Sequence, residues 1–275
     1  GNYGRNHHFC KQIGGKLKKV VILGGGLAGL LTLANLRKRY NVTLLERENK
    51  VGGLLRTSEI GGFKFDKTGH LIHSKNKDME KFLKAVNIKT DKIERRATVY
   101  VQGRYVPYPI QLNIKELGTE NKNTIIDEIL KAPGPQRAIS KMDFEEWVIS
   151  IFGKKLFQIF FGPYNRKLLK TPLKDISPTW FTKYMPIPDI KEILLSLKKN
   201  ITNVGYNSTF FYPKTGRIQS LTDSMYGILK KYIRTETPCT EIDIKKKRVF
   251  SGEEEFQYDI LISTIPYPAF LKLAH

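Results

Sequence analysis

The chain has 275 residues, of which 40% are hydrophobic and 11% aromatic, and this composition excludes intrinsically disordered and collagen-like polypeptides. The 47 Lys and Arg residues exceed the 26 Asp and Glu residues, giving a net charge of +21, but the lysines are scattered and no nucleic-acid-binding motif accompanies them, so we expect no nucleic-acid partner. The two cysteines, Cys10 and Cys239, are too few for a disulfide scaffold or a cysteine-rich zinc site, and we therefore expect no metal and a reducing, cytoplasmic location.

The N-terminal quarter of the sequence predicts the start of a parallel α/β fold. Residues 1–17 form a polar segment that we expect to be a flexible tail. A strand at Lys19–Leu23, a glycine turn, a helix at Leu27–Arg39 and a second strand at Asn41–Glu46 follow. The uncharged run Val20–Leu36 contains four glycines and is marginal in length, which favours this reading over a membrane span.

The middle of the chain is predicted to be mainly helical, and its end returns to strands. Helices are expected at residues 78–90, 115–131, 143–161, 188–199 and 220–233, and strands at 241–250, 255–258 and 260–265. The basic run Lys245–Arg248 falls inside the first of these strands. The pattern indicates an α/β fold with an α+β insertion: a Rossmann-like domain at residues 18–80 and 205–275, interrupted by a helical substrate domain at 81–204.

The glycine turn carries the first chemical signal. Gly24, Gly26 and Gly29 form a GxGxxG pattern between the first strand and the first helix, and Glu46 ends the second strand. This context is typical of dinucleotide binding, in which the backbone approaches the pyrophosphate and the acidic side chain binds a ribose hydroxyl. The N–H groups at the helix start, at Leu27 and Ala28, would face the phosphates.

Two further segments resemble known flavoproteins. Residues 46–57, ERENKVGGLLRT, resemble the second-strand extension of the amine oxidase, protoporphyrinogen oxidase and UDP-galactopyranose mutase superfamily, and residues 62–73, GFKFDKTGHLIH, resemble the mutases in particular. The resemblance implies FAD as the cofactor, a flavin-side role for Gly69 and His70, and a pyrophosphate contact for Arg56. The positions that it assigns to FAD are Gly24, Gly26, Leu27, Ala28, Gly29, Glu46, Arg47, Gly52, Gly53, Leu54, Arg56, Gly69 and Cys239.

Three later segments resemble the substrate region of the mutases. They are residues 103–113, GRYVPYPIQLN, residues 160–169, FFGPYNRKLL, and residues 205–216, GYNSTFFYPKTG. The resemblance implies that the catalytic set is His70, Gly69 and Arg96, that a UDP-sugar reacts through flavin N5, and that NAD(P)H serves only to reduce the flavin. The positions assigned to the substrate are Arg96, Tyr108, Gln111, Phe160, Asn165, Tyr184 and Asn207.

Some positions depart from the mutase pattern. Thr68 and Arg217 stand where the mutases have glycine, Leu169 where they have tryptophan, and Tyr184 where an arginine grips the diphosphate. Two alternatives therefore stay open: an FAD oxidoreductase like the amine and protoporphyrinogen oxidases, and a catalytically inactive FAD-binding fragment. Because the resembling proteins continue beyond strand 260–265, we expect this chain to lack a C-terminal part, and to self-associate or bind a complementing chain.

Overall fold

The computed structural model describes residues 17–73, 77–133, 141–183, 185, 187–199 and 208–275, so residues 1–16 of the predicted tail lie outside the described residues. The chain divides into two units, one formed by the residues up to Asp91 and by Phe211–His275, the other by Lys92–Phe210. The chain passes from one unit to the other within strands β5 (Thr90–Glu94) and β8 (Thr209–Pro213).

The first unit is built on a four-stranded parallel sheet. Apart from β5 and β8, the strands and helices of this unit, including those of the sheet, are β1 (Lys19–Leu23), α1 (Leu27–Leu36), β2 (Asn41–Leu45), β3 (Thr57–Ile60), β4 (Phe63–Asp66), α2 (Lys77–Ala85), α7 (Ser220–Leu229), β9 (Ile233–Arg234), β10 (Glu241–Asp243), β11 (Arg248–Ser251), β12 (Glu254–Gln257), β13 (Ile260–Ser263) and α8 (Tyr267–Leu273). The sheet order is β13-β1-β2-β9, and every pair in it is parallel. The predicted α/β fold with a parallel sheet is confirmed.

Both faces of strand β1 are covered, which explains its uninterrupted apolar sequence. Val20 and Ile22 pack in one core cluster with Leu30 and Leu33 of α1. Val21 and Leu23 pack in another cluster, beneath the antiparallel sheet β10-β11-β12. Leu83 of α2 also lies in the first cluster, so the unit extends past residue 80, where the sequence had suggested the insertion begins.

The second unit is mainly helical. Its elements are β6 (Thr98–Val101), β7 (Arg104–Pro107), α3 (Thr119–Lys131), α4 (Phe144–Leu156), α5 (Gly162–Leu169) and α6 (Ile190–Lys198). The buried face of α4, including Phe144, Trp147 and Phe152, packs in one cluster with Ile125 and Ile129 of α3. Helix α4 begins at a capping box, in which the Asp143 carboxylate accepts the Glu146 N–H at 2.8 Å.

The single helix predicted at 143–161 is wrong. Helix α4 is kinked at Gly153, where φ is +80°, and it is followed by a π-helical turn at Phe157–Phe161 that leads into α5. A side chain at position 153 would clash with Glu128, whose carboxylate accepts the Lys155 N–H at 2.6 Å. The kink thus follows from a glycine and a partly buried acceptor that periodicity does not reveal.

The strand predicted at 241–250 is also wrong, because residues 244–247 form an exposed turn between β10 and β11. The Asp243 carboxylate accepts the Lys246 N–H at 2.8 Å, and Lys247 adopts a positive φ of 54°. An aspartate that binds a backbone N–H three residues later stabilises a turn. Three predicted helices end at least three residues early as well: α1 ends at Leu36 rather than Arg39, α2 at Ala85 rather than Thr90, and α7 at Leu229 rather than Ile233.

None of the helices in the described part of the chain combines the length and apolar character that crossing a bilayer requires.

Candidate functional site

The first unit places a tight glycine turn between β1 and α1. Gly24 has a φ of +100°, and its N–H donates to the Leu45 carbonyl oxygen at 2.9 Å. A Cβ at Gly29 would collide with the backbone carbonyl oxygen of Gly24, far inside contact distance. The first and third glycines of the motif are thus required by the turn and by the close approach of helix to strand.

Gly26 differs from these two glycines because nothing occupies the space beside it. Among the residues that the structure describes, and apart from its chain neighbours and the backbone of α1, no atom lies within 4 Å of the position that a Cβ at Gly26 would take. Gly26 is the N-cap of α1 and has no side-chain cap. The first N–H groups of this helix therefore lack a capping acceptor, which is the arrangement that receives an anionic group. Leu27 is partly buried at this helix start and Ala28 is exposed.

Glu46 is buried at the end of β2, with 7% of its surface exposed. Its Oε2 accepts the Gly25 N–H at 2.6 Å and its Oε1 accepts the Glu48 N–H at 3.0 Å. The sequence analysis missed Gly25, because this position of the motif is variable. A Cβ at Gly25 would lie 2.8 Å from the Glu46 Oε2. The Glu46 carboxylate therefore packs closely against the glycine turn and stabilises it by a hydrogen bond.

The segment after β2 lies against the same turn. The Gly52 N–H donates to the Gly25 carbonyl oxygen at 2.8 Å, and a Cβ at Gly53 would lie 3.2 Å from the Gly26 Cα. Arg56 is mostly buried, with 21% of its side chain exposed, and pairs with Glu48 at 3.5 Å. Arg47 is exposed and pairs with the same carboxylate at 3.2 Å. The structure thus brings Gly52 and Gly53 beside Gly26, and Arg56 lies against Gly52.

His70 is connected to this segment by its ring. The His70 Nε2 lies 2.9 Å from the Leu54 carbonyl oxygen and 2.7 Å from the Thr68 Oγ1. The side chain of Leu54 is 65% exposed, and Gly69 has open space around it. His70 is therefore bound to the residue that follows Gly53, which itself lies against Gly26.

Asp66, at the end of β4, joins three elements of the first unit. The Tyr212 hydroxyl donates to its Oδ2, and the Thr57 hydroxyl donates to its Oδ1 at 2.6 Å. The Thr57 N–H in turn donates to Gln219 Oε1 at 2.8 Å. Burial, followed by the hydrogen bond to Asp66, raises the pKa of the Tyr212 phenol above its ordinary value of 10.0.

We expect Tyr212→Phe to reduce the alkaline sensitivity of the protein. Since the fold disfavours ionisation of this phenol, its contribution to stability is complete below about pH 10 and is lost as the pH rises through the raised pKa. The variant should be about 1 kcal/mol less stable at neutral pH because it loses a hydrogen bond. Urea unfolding from about pH 8 to 11 measures both effects, and Tyr226→Phe, on the surface of α7, is the control. A stability–pH curve parallel to that of the wild type would contradict this account.

The side chain of Cys239 packs in the second core cluster of the first unit. It is half-buried, packs in the cluster that contains Val21 and Ile242, and has its Sγ 3.7 Å from the Glu241 carbonyl oxygen. Burial raises the pKa of this thiol, so the neutral form dominates at pH 7. The structure therefore gives Cys239 a packing environment, and its assignment to the FAD site stays a prediction.

The second unit holds an aromatic cluster at the predicted substrate positions. The rings of Phe160 and Tyr164 are stacked with centroids 5.3 Å apart, and Tyr164 is 50% exposed whereas Phe160 is only 6% exposed. Burial, then the nearby Tyr164, raises the pKa of the Tyr108 phenol, whereas Arg95 acts in the opposite direction. Tyr164 and Arg95 were missed by the sequence analysis, although Tyr164 lies within a segment that it quoted.

The other predicted substrate residues are less accessible or not described. Gln111 is fully buried, and Asn165 is 3% exposed with its side-chain amide donating to the Phe161 carbonyl oxygen at 2.7 Å. Arg96 is exposed. Tyr184 and Asn207 lie outside the described residues. Among the described residues of these segments, Arg96, Tyr108 and Tyr164 thus have side chains that a ligand of this unit could reach directly.

Comparison with known proteins identifies the fold. A family profile described as an NAD(P)-binding Rossmann-like domain matches residues 22–86. A crystal structure of reduced UDP-galactopyranose mutase matches with a TM-score of 0.83 and 28% identity over 94% of this chain and 57% of the mutase. The chain shares the fold of the FAD-dependent amine oxidase and protoporphyrinogen oxidase superfamily.

Other members of this superfamily match less closely. A protein of Exiguobacterium sp. 255-15 described as a protoporphyrinogen oxidase has a TM-score of 0.67 and 20% identity over 93% of this chain and 61% of its own. Cyclohexylamine oxidase of Brevibacterium oxydans IH-35A has a TM-score of 0.59 and 16% identity over 92% and 59%. The resemblance inferred from the sequence motifs is confirmed, and the chain spans 57–61% of the length of these three superfamily members.

A match by sequence is restricted to a short segment. The 1-hydroxycarotenoid 3,4-desaturase of Flavobacterium sp. (strain P99-3) is 41% identical over 51 residues, which are 18% of this chain and 10% of the desaturase. The long structural matches and this short sequence match together assign the fold without assigning a reaction.

Proposed function

We propose that the first unit binds FAD, with the pyrophosphate beside Gly26 and the adenosine ribose at Glu46. The observation that carries the proposal is the empty space beside Gly26, at an uncapped helix start and next to a buried carboxylate. The residues present fit the group, because a phosphate needs N–H donors and a ribose needs a carboxylate acceptor. The matched mutase structure is that of a reduced enzyme, which supports a redox cofactor over NAD(P) used as a substrate.

The chain's own residues would divide the binding between them. The N–H groups of Leu27 and Ala28 would donate to phosphate oxygens, and Gly26 would let the backbone approach the pyrophosphate. The Glu46 carboxylate has lone pairs left for ribose hydroxyls after accepting its backbone N–H groups. Arg56 would face the pyrophosphate beside Gly52 and Gly53, and Leu54, Gly69 and His70 would border the flavin. Bound FAD would supply electron-transfer chemistry, which no side chain here provides.

Gly26→Ala is expected to separate cofactor binding from folding. Since the Cβ enters empty space and the backbone is extended at φ −71° and ψ 177°, stability should fall by no more than about 1 kcal/mol. FAD affinity should fall at least tenfold, about 1.4 kcal/mol, because the methyl group occupies the proposed phosphate position. Titration followed by flavin fluorescence and by urea unfolding measures both quantities.

Gly227→Ala is the matched control, since it lies within α7 and also has no atom within 4 Å of its Cβ position. It should bind FAD as the wild type does. Equal FAD affinity in the two variants would contradict the phosphate position. Wild-type protein that takes up NAD or NADP more tightly than FAD would contradict the choice of cofactor.

We propose, for the second unit, that the aromatic cluster recognises a nucleotide sugar. Its support is the exposed Tyr164 ring stacked on Phe160, with Tyr108 and Arg95 nearby, which offers a flat surface, a phenol and a cation to a base and its phosphate. The mutase match supports a UDP-sugar as the ligand. The sequence resemblance adds a role for Arg96 close to the sugar. In this proposal NAD(P)H reduces the flavin. The proposed location of the protein is the cytoplasm.

The alternative is an oxidase-like reaction, which takes its support from the matched protoporphyrinogen oxidase and cyclohexylamine oxidase structures. The two reactions differ in the oxidation state of FAD that they require. Turnover of a UDP-sugar only after prior reduction with dithionite supports the mutase-like reaction, whereas reduction of bound FAD by an amine substrate supports the oxidase-like one. A protein that binds FAD and does neither supports the inactive fragment. A complementing or identical partner chain is supported by exposed apolar residues near the sheet edge, among them Ile260, Tyr267 and Leu271.

A further inference from the structure

His70 is held by two oxygen atoms at one ring nitrogen. Its Nε2 lies 2.9 Å from the Leu54 carbonyl oxygen and 2.7 Å from the Thr68 hydroxyl oxygen. Within the part of the chain that the structure describes, its Nδ1 makes no hydrogen bond. The two ring nitrogens therefore have different surroundings.

The chemistry of the two oxygens decides which nitrogen carries the proton. A backbone carbonyl oxygen can only accept, so the contact with Leu54 is a hydrogen bond only if Nε2 is protonated. A hydroxyl can donate or accept, and the Thr68 oxygen can therefore share the same N–H as a second acceptor. A ring protonated at Nδ1 alone would instead place the Nε2 lone pair against the lone pairs of the Leu54 carbonyl.

We propose that Thr68 is a positioning residue which, with the Leu54 carbonyl, holds the neutral His70 ring as its Nε2–H tautomer and leaves Nδ1 as the proton acceptor. The use of this acceptor rests on the proposed FAD binding, since His70 borders the flavin position there. The tautomer itself does not depend on FAD. Nδ1 would accept a hydrogen bond or a proton from an N–H or O–H group of the bound flavin or its substrate.

This chain has threonine at position 68, whereas the mutase segment that residues 62–73 resemble has glycine there. Leu54 directly follows Gly53, which abuts Gly26. A hydrogen bond from His70 to Leu54 therefore ties the ring orientation to the same backbone segment that would contact the pyrophosphate. Thr68, two residues before His70 in the chain, adds a second hydrogen bond at the same ring nitrogen.

The test is the ¹⁵N NMR spectrum of the imidazole rings, recorded without added FAD at about pH 8.5, about two units above the ordinary histidine pKa. In the wild type, we expect His70 Nε2 to show the chemical shift of a protonated nitrogen and Nδ1 that of a nitrogen with a lone pair. Thr68→Val, which removes the hydroxyl and keeps the shape, should move both shifts toward their midpoint. Thr68→Ser should restore the wild-type pattern.

His70→Ala assigns the signals, and His275, whose ring binds Glu241 at 2.9 Å, serves as the internal reference that should not move. Shifts of the Nδ1–H tautomer, or averaged shifts in the wild type, would overturn the assignment. A Thr68→Val spectrum identical to that of the wild type would overturn the role of Thr68. Because no FAD is present, a failure of cofactor binding leaves this result unaffected, and the two proposals fail independently.

Discussion

Gly29→Ala should destabilise the first unit by about 3 kcal/mol or more, because a Cβ at this position collides with the Gly24 carbonyl oxygen in the backbone of the turn. Backbone atoms cannot yield as the end of a flexible side chain can, so helix α1 must move away from β1. Hydrogen exchange followed by mass spectrometry should show faster exchange in peptides from β1, α1 and β2.

The control for this prediction is Gly227→Ala, a glycine-to-alanine change in α7 that meets no neighbouring atom. It should leave exchange unchanged or stabilise the protein by about 0.5–1 kcal/mol, since alanine is the better helix former. If Gly29→Ala matched Gly227→Ala in exchange and in urea unfolding, the close approach of helix and strand would be refuted.

Phe160→Ala should cost about 3–5 kcal/mol in the second unit, because the ring is 6% exposed and packs on Phe161 and Tyr164. Tyr164→Ala should cost much less, since half of that residue is exposed. The fluorescence of Trp147, which is buried in the same cluster, would follow urea unfolding of both variants.

The same pair of variants bears on nucleotide recognition. A loss of UDP binding in Phe160→Ala is ambiguous, because the unit itself is weakened. Tyr164→Ala keeps the core and removes the exposed ring, so calorimetric titration with UDP should show at least a fivefold weaker affinity, about 1 kcal/mol for a lost stacking contact. Tyr105→Ala, which removes another exposed tyrosine of this unit, is the control. Unchanged UDP affinity in Tyr164→Ala would exclude this ring from the site.

The beginning of the fold could be predicted because its signals are local. A continuous apolar strand, a glycine turn and a terminal acid lie within residues 19–46, and the structure places β1, α1, β2 and Glu46 accordingly. Gly25 could not be found in this way, since its constraint arises from Glu46, 21 residues later, which accepts its N–H. The motif pattern treats that position as variable.

Other differences also arise from contacts that are distant in sequence or from competing local bonds. Gln111 and Asn165 look like accessible polar side chains in their motifs, yet packing within the second unit buries them. The basic turn at 244–247 escaped prediction because flanking β-branched residues suggested one long strand, whereas the Asp243 carboxylate captures a backbone N–H. The π-helical turn at Phe157–Phe161 has no sequence signature comparable to the 3.6-residue period of an α-helix.

The hydrogen bond between Glu46 and Gly25 affects the rate of ligand association and the conformational entropy that is lost on binding. The carboxylate holds the glycine turn through the Gly25 N–H at 2.6 Å and the segment after β2 through the Glu48 N–H at 3.0 Å. A loop ordered in advance loses little conformational entropy when a dinucleotide arrives, so a larger share of the contact energy is retained as affinity. The first unit is therefore preorganised, and association there should proceed as a docking step rather than as coupled folding.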